Sequence, residues 1–323
     1  MRADIGVLWP ESFLPGTALP AIPGLARLAE QAGLDCLWIG DRLTSGESDT
    51  LDASLMLAAA AAVTSRIPVG FAIYVPSLRP LAWAAKQIGT LAHIAGDNRL
   101  RLGVGLGGGV PQDYRAAGFR HEDRARRTDE FLRLLPGLLG GQPTAIPDSQ
   151  ANAIPDGQPT AIPDGRAELL KLRPIAPVPP VWVGGTSPAA LRRAVRFADG
   201  WLSGLQTPEE FAASSRRLDE LSDQAGRPPL PKGIGLHAAI GQGPQASLAD
   251  VTAGVMQTMF GVPADRARQL AIAGTPAQVA SQLAPYIDAG AQLFAVVCDP
   301  VPSERSWELL ADVRLLLNQD SAT

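Results

Sequence analysis

The residues best suited to hold a ligand are Gly184, Gly185 and Thr186, within PPVWVGGTSPAALRRAVRFADGW (179–201). An apolar run of strand length, 181–183, stops at the two glycines. Thr186 or Ser187 can cap a following helix and Pro188 suits its first turn. Ala190, Leu191, Ala194 and Val195 then repeat at helical spacing. Glycines at a strand's end let backbone approach a ligand closely, and the N–H groups of the next helical turn favour an anion, typically a phosphate. A tight strand-to-helix turn that needs glycine only for its geometry is the plainer reading, and the stretch alone leaves both open.

The elements that must position such a turn alternate along the whole chain. Strand-like runs are 5–8, 36–39, 68–75, 100–104, 181–183, 200–202, 233–240 and 293–297. Helical periodicity follows each one, at 22–32, 52–63, 81–95, 123–139, 188–195, 208–226, 276–289 and 303–317. Further helical pieces at 248–259 and 265–273 fall between strand seven and its main helix. Eight βα units argue for a TIM barrel, a (β/α)8 fold in one domain, 1–323, with a helical insertion after strand seven. A doubly wound open sheet is the alternative, but no GxGxxG follows the first strand. Residues 141–164 interrupt the pattern with GQPTAIPD, SQANAIPD and GQPTAIPD. Three octads are too short to bury a core, and regular Pro-Asp favours turns, so this reads as a surface connector.

Composition removes several function classes. The chain has 323 residues, 46% of them hydrophobic, and a formal charge of −4, which gives no electrostatic reason for nucleic-acid binding. Three lysines among 28 basic residues, with abundant Ala, Pro and Gly, suggest a GC-rich bacterial source. Every long apolar run is broken by charge, Gly or Pro, and the N-terminal apolar run is too short for a signal peptide. A cytoplasmic protein is expected, with a small-molecule substrate as partner, a possible homodimer, no nucleic acid and no membrane. Cys36 and Cys298 are solitary and His93, His121 and His237 fall on different elements, so no metal site is expected.

In a barrel, the strands' C-terminal ends and the loops after them make the active-site face. That rule selects Trp9, Asp41, Arg42, residues 72–75, 105–109 and 184–186, Ser203, His237 and Cys298. No Ser/His/Asp set and no paired carboxylates emerge among strand ends. A face rich in glycine and apolar groups suits a bulky planar cofactor that carries the reactivity itself. Trp9 as a plug of the barrel end, and Asp41-Arg42 as a local ion pair, are the plainer alternatives.

GLDCLWIGDR (33–42), RIPVGFAIYVPSLRPLAWAAKQIGTL (66–91), NRLRLGVGLGGG (98–109), RTDEFL (127–132), the 179–202 stretch and AGTPAQVASQLAPYIDAGAQLFAV (273–296) together resemble the bacterial luciferase-like monooxygenase superfamily. The similarity is to the branch that uses the deazaflavin coenzyme F420. It implies a flavin-type ring over the barrel's C-terminal face and its phosphate at Gly184-Gly185-Thr186. It also implies a bulge ending strand three, whose non-prolyl cis peptide, Ala72–Ile73 here, backs the ring. Trp9, Ala72, Ile73, Val75, Gly105, Gly107, Gly184, Gly185 and Thr186 are then the expected cofactor residues, with Asp41 and Arg42 catalytic. Many F420 enzymes have Asp-His where this chain has Asp41-Arg42, so a histidine acid or base is not carried over at that position. The loop after strand four has Gly107, Gly108, Gly109 and Asp113 where the family usually has Trp and Glu.

F420 carries a polyanionic tail, and Arg79, Arg115, Arg120, Arg124, Arg126 and Arg127 supply cations near the barrel mouth. Cations at a helix N-terminus are mildly unfavourable unless something anionic meets them. The expected activity is therefore an F420-dependent oxidoreductase moving a hydride to or from a small organic substrate. An FMN-dependent monooxygenase and a flavin-binding protein without turnover are the alternatives.

Overall fold

The computed structural model describes residues 2–10, 12–13, 19, 21–96, 98–108, 110–146, 169–300 and 303–319. Eight parallel strands close on themselves: β1 Asp4–Trp9, β2 Cys36–Ile39, β3 Val69–Tyr74, β4 Leu100–Val104, β5 Val181–Gly184, β6 Gly200–Gly204, β7 Lys232–Ile240 and β8 Leu293–Cys298. Each pairs with its neighbours in sequence, and β1 pairs with β8 at Asp4↔Leu293. Helices α1 Ile22–Gln31, α2 Ala53–Val63, α3 Leu81–Ala95, α4 Arg124–Leu139, α5 Pro188–Phe197, α6 Pro208–Gln224, α7 Pro276–Asp288 and α8 Glu304–Gln319 follow the strands. The fold is the (β/α)8 TIM barrel that the alternating pattern predicts.

The insertion after β7 is present as helices Gln245–Phe260 and Ala264–Leu270, with a short strand, Ile272–Gly274, added beside the end of β7. Side-chain caps start several helices. Asp52 accepts from the Leu55 N–H ahead of α2, and Thr207 and Glu210 form a capping box ahead of α6. No helix among the described residues is long and apolar enough to cross a membrane. Of the octad repeat, residues 147–164 lie outside the described residues. Its start pairs with the segment leading to β5, Thr144–Ala145 antiparallel to Leu169–Leu170.

Both faces of the strands are buried, so each strand feeds two apolar layers. Ile5, Val7 and Trp9 of β1 and Val69 and Phe71 of β3 join the layer between barrel and helices. Cys36, Trp38, Leu202, Leu293 and Ala295, with Leu8, Ala72, Ile73 and Trp182, fill the barrel itself. Trp38 fits because glycines stand on both neighbouring strands. A Cβ at Gly6 would lie 2.8 Å from its Nε1, and one at Gly70 would lie 2.8 Å from its Cζ3. Trp182 likewise occupies the space over Gly200, where a Cβ would approach it to 2.6 Å. The barrel interior is a packed core.

Candidate active site

Two cavities open among the loops that follow the strands, and they meet at Phe260. The first, about 310 Å³, is floored by Leu8, Ala72, Ile73 and Leu202 and walled by Gly184, Gly185, Thr186, Ser203 and His237. The second, about 380 Å³, is lined by Asp41, Arg42, Thr44, Val75, Gly107 and Asp113, among others. Phe260 ends the inserted helix and contributes to both. Of the expected residues, Ala72, Ile73, Gly184, Gly185 and Thr186 line the first, and Asp41, Arg42, Val75 and Gly107 the second.

The floor of the first cavity is built by a break in β3. The Ala72–Ile73 peptide is cis and the β3–β4 register shifts between Phe71 and Tyr74. Ile73 then lies against two glycines of the adjoining strands. A Cβ at Gly105 would come within 2.0 Å of its Cδ1, and one at Gly184 within 2.8 Å of its Cγ2. Gly105 therefore makes room behind the floor rather than lining the cavity.

At the rim, Gly185 has φ +109°, a conformation L side chains rarely adopt. Its carbonyl accepts from Trp201 Nε1 at 2.8 Å, and its N–H donates to Leu202 at 3.3 Å. Ser187 caps α5, accepting from the Ala190 N–H at 3.2 Å. The turn is exposed at Gly185, Thr186 and Ser187 and leads directly into a ten-residue helix. An apolar shelf beside a glycine turn at a helix N-terminus fits a flat ring bearing a phosphate.

Trp9 departs from expectation. Its ring is fully buried on the helix side of β1, edge-on to Trp307 of α8 at 5.7 Å between centroids, and does not reach either cavity. Leu8, one residue earlier, faces the site instead, because alternate residues of a strand point to opposite faces. Cys298 also turns to the helix layer, and burial pushes its thiol, like that of Cys36, far above the ordinary value.

Asp41 is not a free acid. Its side chain is 1% exposed. Arg79 Nη1 and Nη2 reach its two oxygens at 2.7 and 2.8 Å, and the Val75 N–H donates to Oδ2 at 2.9 Å. Although burial works against the charge, Asp41 raises the Arg79 guanidinium above its ordinary value. Arg42 donates to Ser45 and lies over the Phe260 ring, 5.6 Å from its centroid. Asp113 is engaged too, accepting from Thr44 Oγ1 at 2.6 Å.

The arginines expected to meet an anionic tail are largely committed elsewhere. Arg127 is buried, donating to the carbonyls of Ser77 and Arg79 and stacked over Phe119. Burial lowers its guanidinium from the ordinary value. Arg126 pairs with Asp123 and Glu130, Arg120 with Glu122, and Arg124 with His121.

A further pair was missed by sequence reasoning. His237, near the C-terminal end of β7, and Asp299, just after β8, lie side by side, with Nδ1 3.2 and 3.3 Å from the carboxylate oxygens. The register pairs His237 with Val297, two residues before Asp299 and on the same face, so adjacent strand ends carried the signal.

This closed barrel, with two cavities among the loops that follow its strands, defines a TIM-barrel protein. The Luciferase-like monooxygenase family model matches residues 7–261, and the chain belongs to that family. The chain is 27% identical to the 5,10-methylenetetrahydromethanopterin reductase of Methanolobus tindarius over 226 residues, 70% of this chain and 63% of that protein. Among solved structures, an F420-dependent secondary alcohol dehydrogenase bound to an F420-acetone adduct superposes with a TM-score of 0.77 at 15% identity, covering 97% of this chain and 98% of that one. The FMN-bound oxygenating component of 3,6-diketocamphane monooxygenase from Pseudomonas putida gives 0.73 at 18% identity, covering 96% and 97%.

Proposed function

We propose that the chain is a coenzyme F420-dependent oxidoreductase, one barrel domain over 1–323, acting on a small organic substrate. The observation that carries this reading is the sharing of one cavity by the Ala72–Ile73 shelf and the Gly184–Thr186 turn. Ala72, Ile73 and Leu8 would back the ring with apolar atoms on one side only, leaving the other side to substrate. The phosphate would meet the N–H groups of Thr186 and the first turn of α5, because the Gly185 N–H is already given to Leu202. When bound, the deazaflavin supplies a hydride carrier, with carbon where a flavin has its reactive nitrogen.

The choice of F420 is supported by the motifs shared with the F420 branch and by the likeness to the F420-dependent alcohol dehydrogenase. The committed arginines favour a second reading, FMN with monooxygenase chemistry, since FMN ends at its phosphate and asks for no cations beyond the turn. Mixing the protein with reduced F420 and a panel of acceptors tests the first reading by the return of oxidised F420 absorbance. Binding without reoxidation by any acceptor would leave a deazaflavin-binding protein.

A further inference from the structure

We propose that His237 is the catalytic acid–base group of this site, oriented by Asp299, and that the substrate is a carbonyl or imine interconverted with its alcohol or amine. The proposal rests on the oxidoreductase reading for the hydride and adds the source of the proton.

Among the described residues that line the first cavity, His237 is the one titratable side chain. Its Nδ1 faces both oxygens of Asp299, which as a carboxylate can only accept, so Nδ1 carries the hydrogen and Nε2 is the nitrogen left for proton transfer. Nε2 makes no hydrogen bond to a described residue. The Asp299 side chain is 1% exposed and hydrogen-bonds no other described side chain. A carboxylate buried so deeply is costly unless it orients or stabilises a partner that is sometimes a cation. The ring of Phe260 stands edge-on to the imidazole at 5.3 Å between centroids and shields it on that side. The Arg42 guanidinium lies over that same Phe260 ring; Ser203 and Gln206 on the β6 side are neutral. Among the described residues lining the second cavity the two acids are engaged, Asp41 by Arg79 and the Val75 N–H, and Asp113 by Thr44.

In the reductive direction the π bond of C=O or C=N opens. A reduced deazaflavin in the cavity would supply the hydride, with its two electrons, to the carbon, and the imidazolium of His237 gives its Nε2 proton to the heteroatom. The neutral imidazole then regains a proton from solvent. Oxidation runs the same steps backwards, with Nε2 accepting the hydroxyl or amine proton.

The test uses the cofactor-loaded protein. Nitrogen-15 NMR of the His237 ring should show the neutral Nδ1–H tautomer with a bare Nε2 that titrates; an Nε2–H tautomer, or an Nε2 signal indifferent to pH, overturns the proposal. With reduced F420 and a panel of small ketones and cyclic imines, His237→Gln should lower kcat by roughly a hundredfold or more and flatten the pH profile. Its F420 dissociation constant, read by fluorescence quenching, should stay within about threefold. Asp299→Asn should retain F420 affinity while changing the His237 tautomer and shifting the pH profile. Equal losses of F420 affinity and kcat in both variants, or no turnover of any panel member by wild type that binds F420, would overturn the assignment. Failure of the wild type to bind F420 counts against the cofactor reading, and the NMR tautomer still decides the dyad.

Discussion

Arg79 grips Asp41 in a two-pronged contact, Nη1 to Oδ2 at 2.7 Å and Nη2 to Oδ1 at 2.8 Å, joining the segments that follow β2 and β3. The same carboxylate holds the Val75 N–H, two residues past the Ile73 shelf. Three donors already engage this carboxylate, and through them it holds the segment after the Ile73 shelf in place. Asp41→Asn leaves a largely buried guanidinium without its counter-charge, which costs about 3 kcal/mol when a buried pair loses one member. Urea unfolding should show that loss, and cofactor affinity should fall together with turnover. A variant as stable as wild type, with turnover alone collapsed, would return Asp41 to a proton-handling role.

Acid stability should depend on Asp35, at the opposite end of the barrel. Burial pushes its carboxyl up, but Arg314, the Ile5 N–H and Arg2 outweigh that and hold it below the ordinary value. A carboxyl whose folded value is depressed contributes stability above its unfolded value, and that contribution is lost as pH falls through the folded value. The Tm gap between wild type and Asp35→Asn should therefore be widest near neutrality and close below about pH 4. F420 affinity should not change, because the residue lies at the face away from the loops that bind ligands. A gap independent of pH would show that Asp35 acts through packing alone.

Much of the fold was legible because each βα unit announces itself by a change of hydrophobic period. Which face of each strand looks inward was not. Both faces of a parallel strand are buried, so Leu8 and Trp9 are equally apolar in the sequence and only the closed barrel sends Trp9 out to Trp307. The arginine cluster misled for a related reason. Its charges are visible in the sequence, but the carbonyls of Ser77 and Arg79 that bind Arg127 lie about fifty positions away in the chain. The His237–Asp299 pair spans 62 positions. It becomes visible only once β7 and β8 are known to be neighbours.

The described start of the octad repeat, residues 141–146, follows α4 and pairs at Thr144–Ala145 with Leu169–Leu170 ahead of β5, and connections from a helix to the next strand lie on the face of a barrel opposite its active site. Deleting residues 157–164 keeps the Thr144–Ala145 and Leu169–Leu170 pairing partners, and loop length changes closure entropy only by about 0.6 kcal/mol per doubling. The deletion should leave F420 affinity unchanged and stability within about 1 kcal/mol by urea unfolding. A folded deletion variant that loses turnover would instead make the repeat part of the active site.

The cofactor assignment is tested most directly by equilibrium titration of the wild type and Gly185→Val with F420 and with FMN. Valine at Gly185 must take φ +109° and places its Cβ 3.1 Å from that of Ala190, which distorts the turn while circular dichroism should still report a folded barrel. The account predicts that F420 binds the wild type more tightly than FMN does, by a factor of ten or more (about 1.4 kcal/mol), and that Gly185→Val loses that binding. Tight FMN binding with no saturable F420 binding, or unchanged F420 affinity in the folded variant, would contradict it.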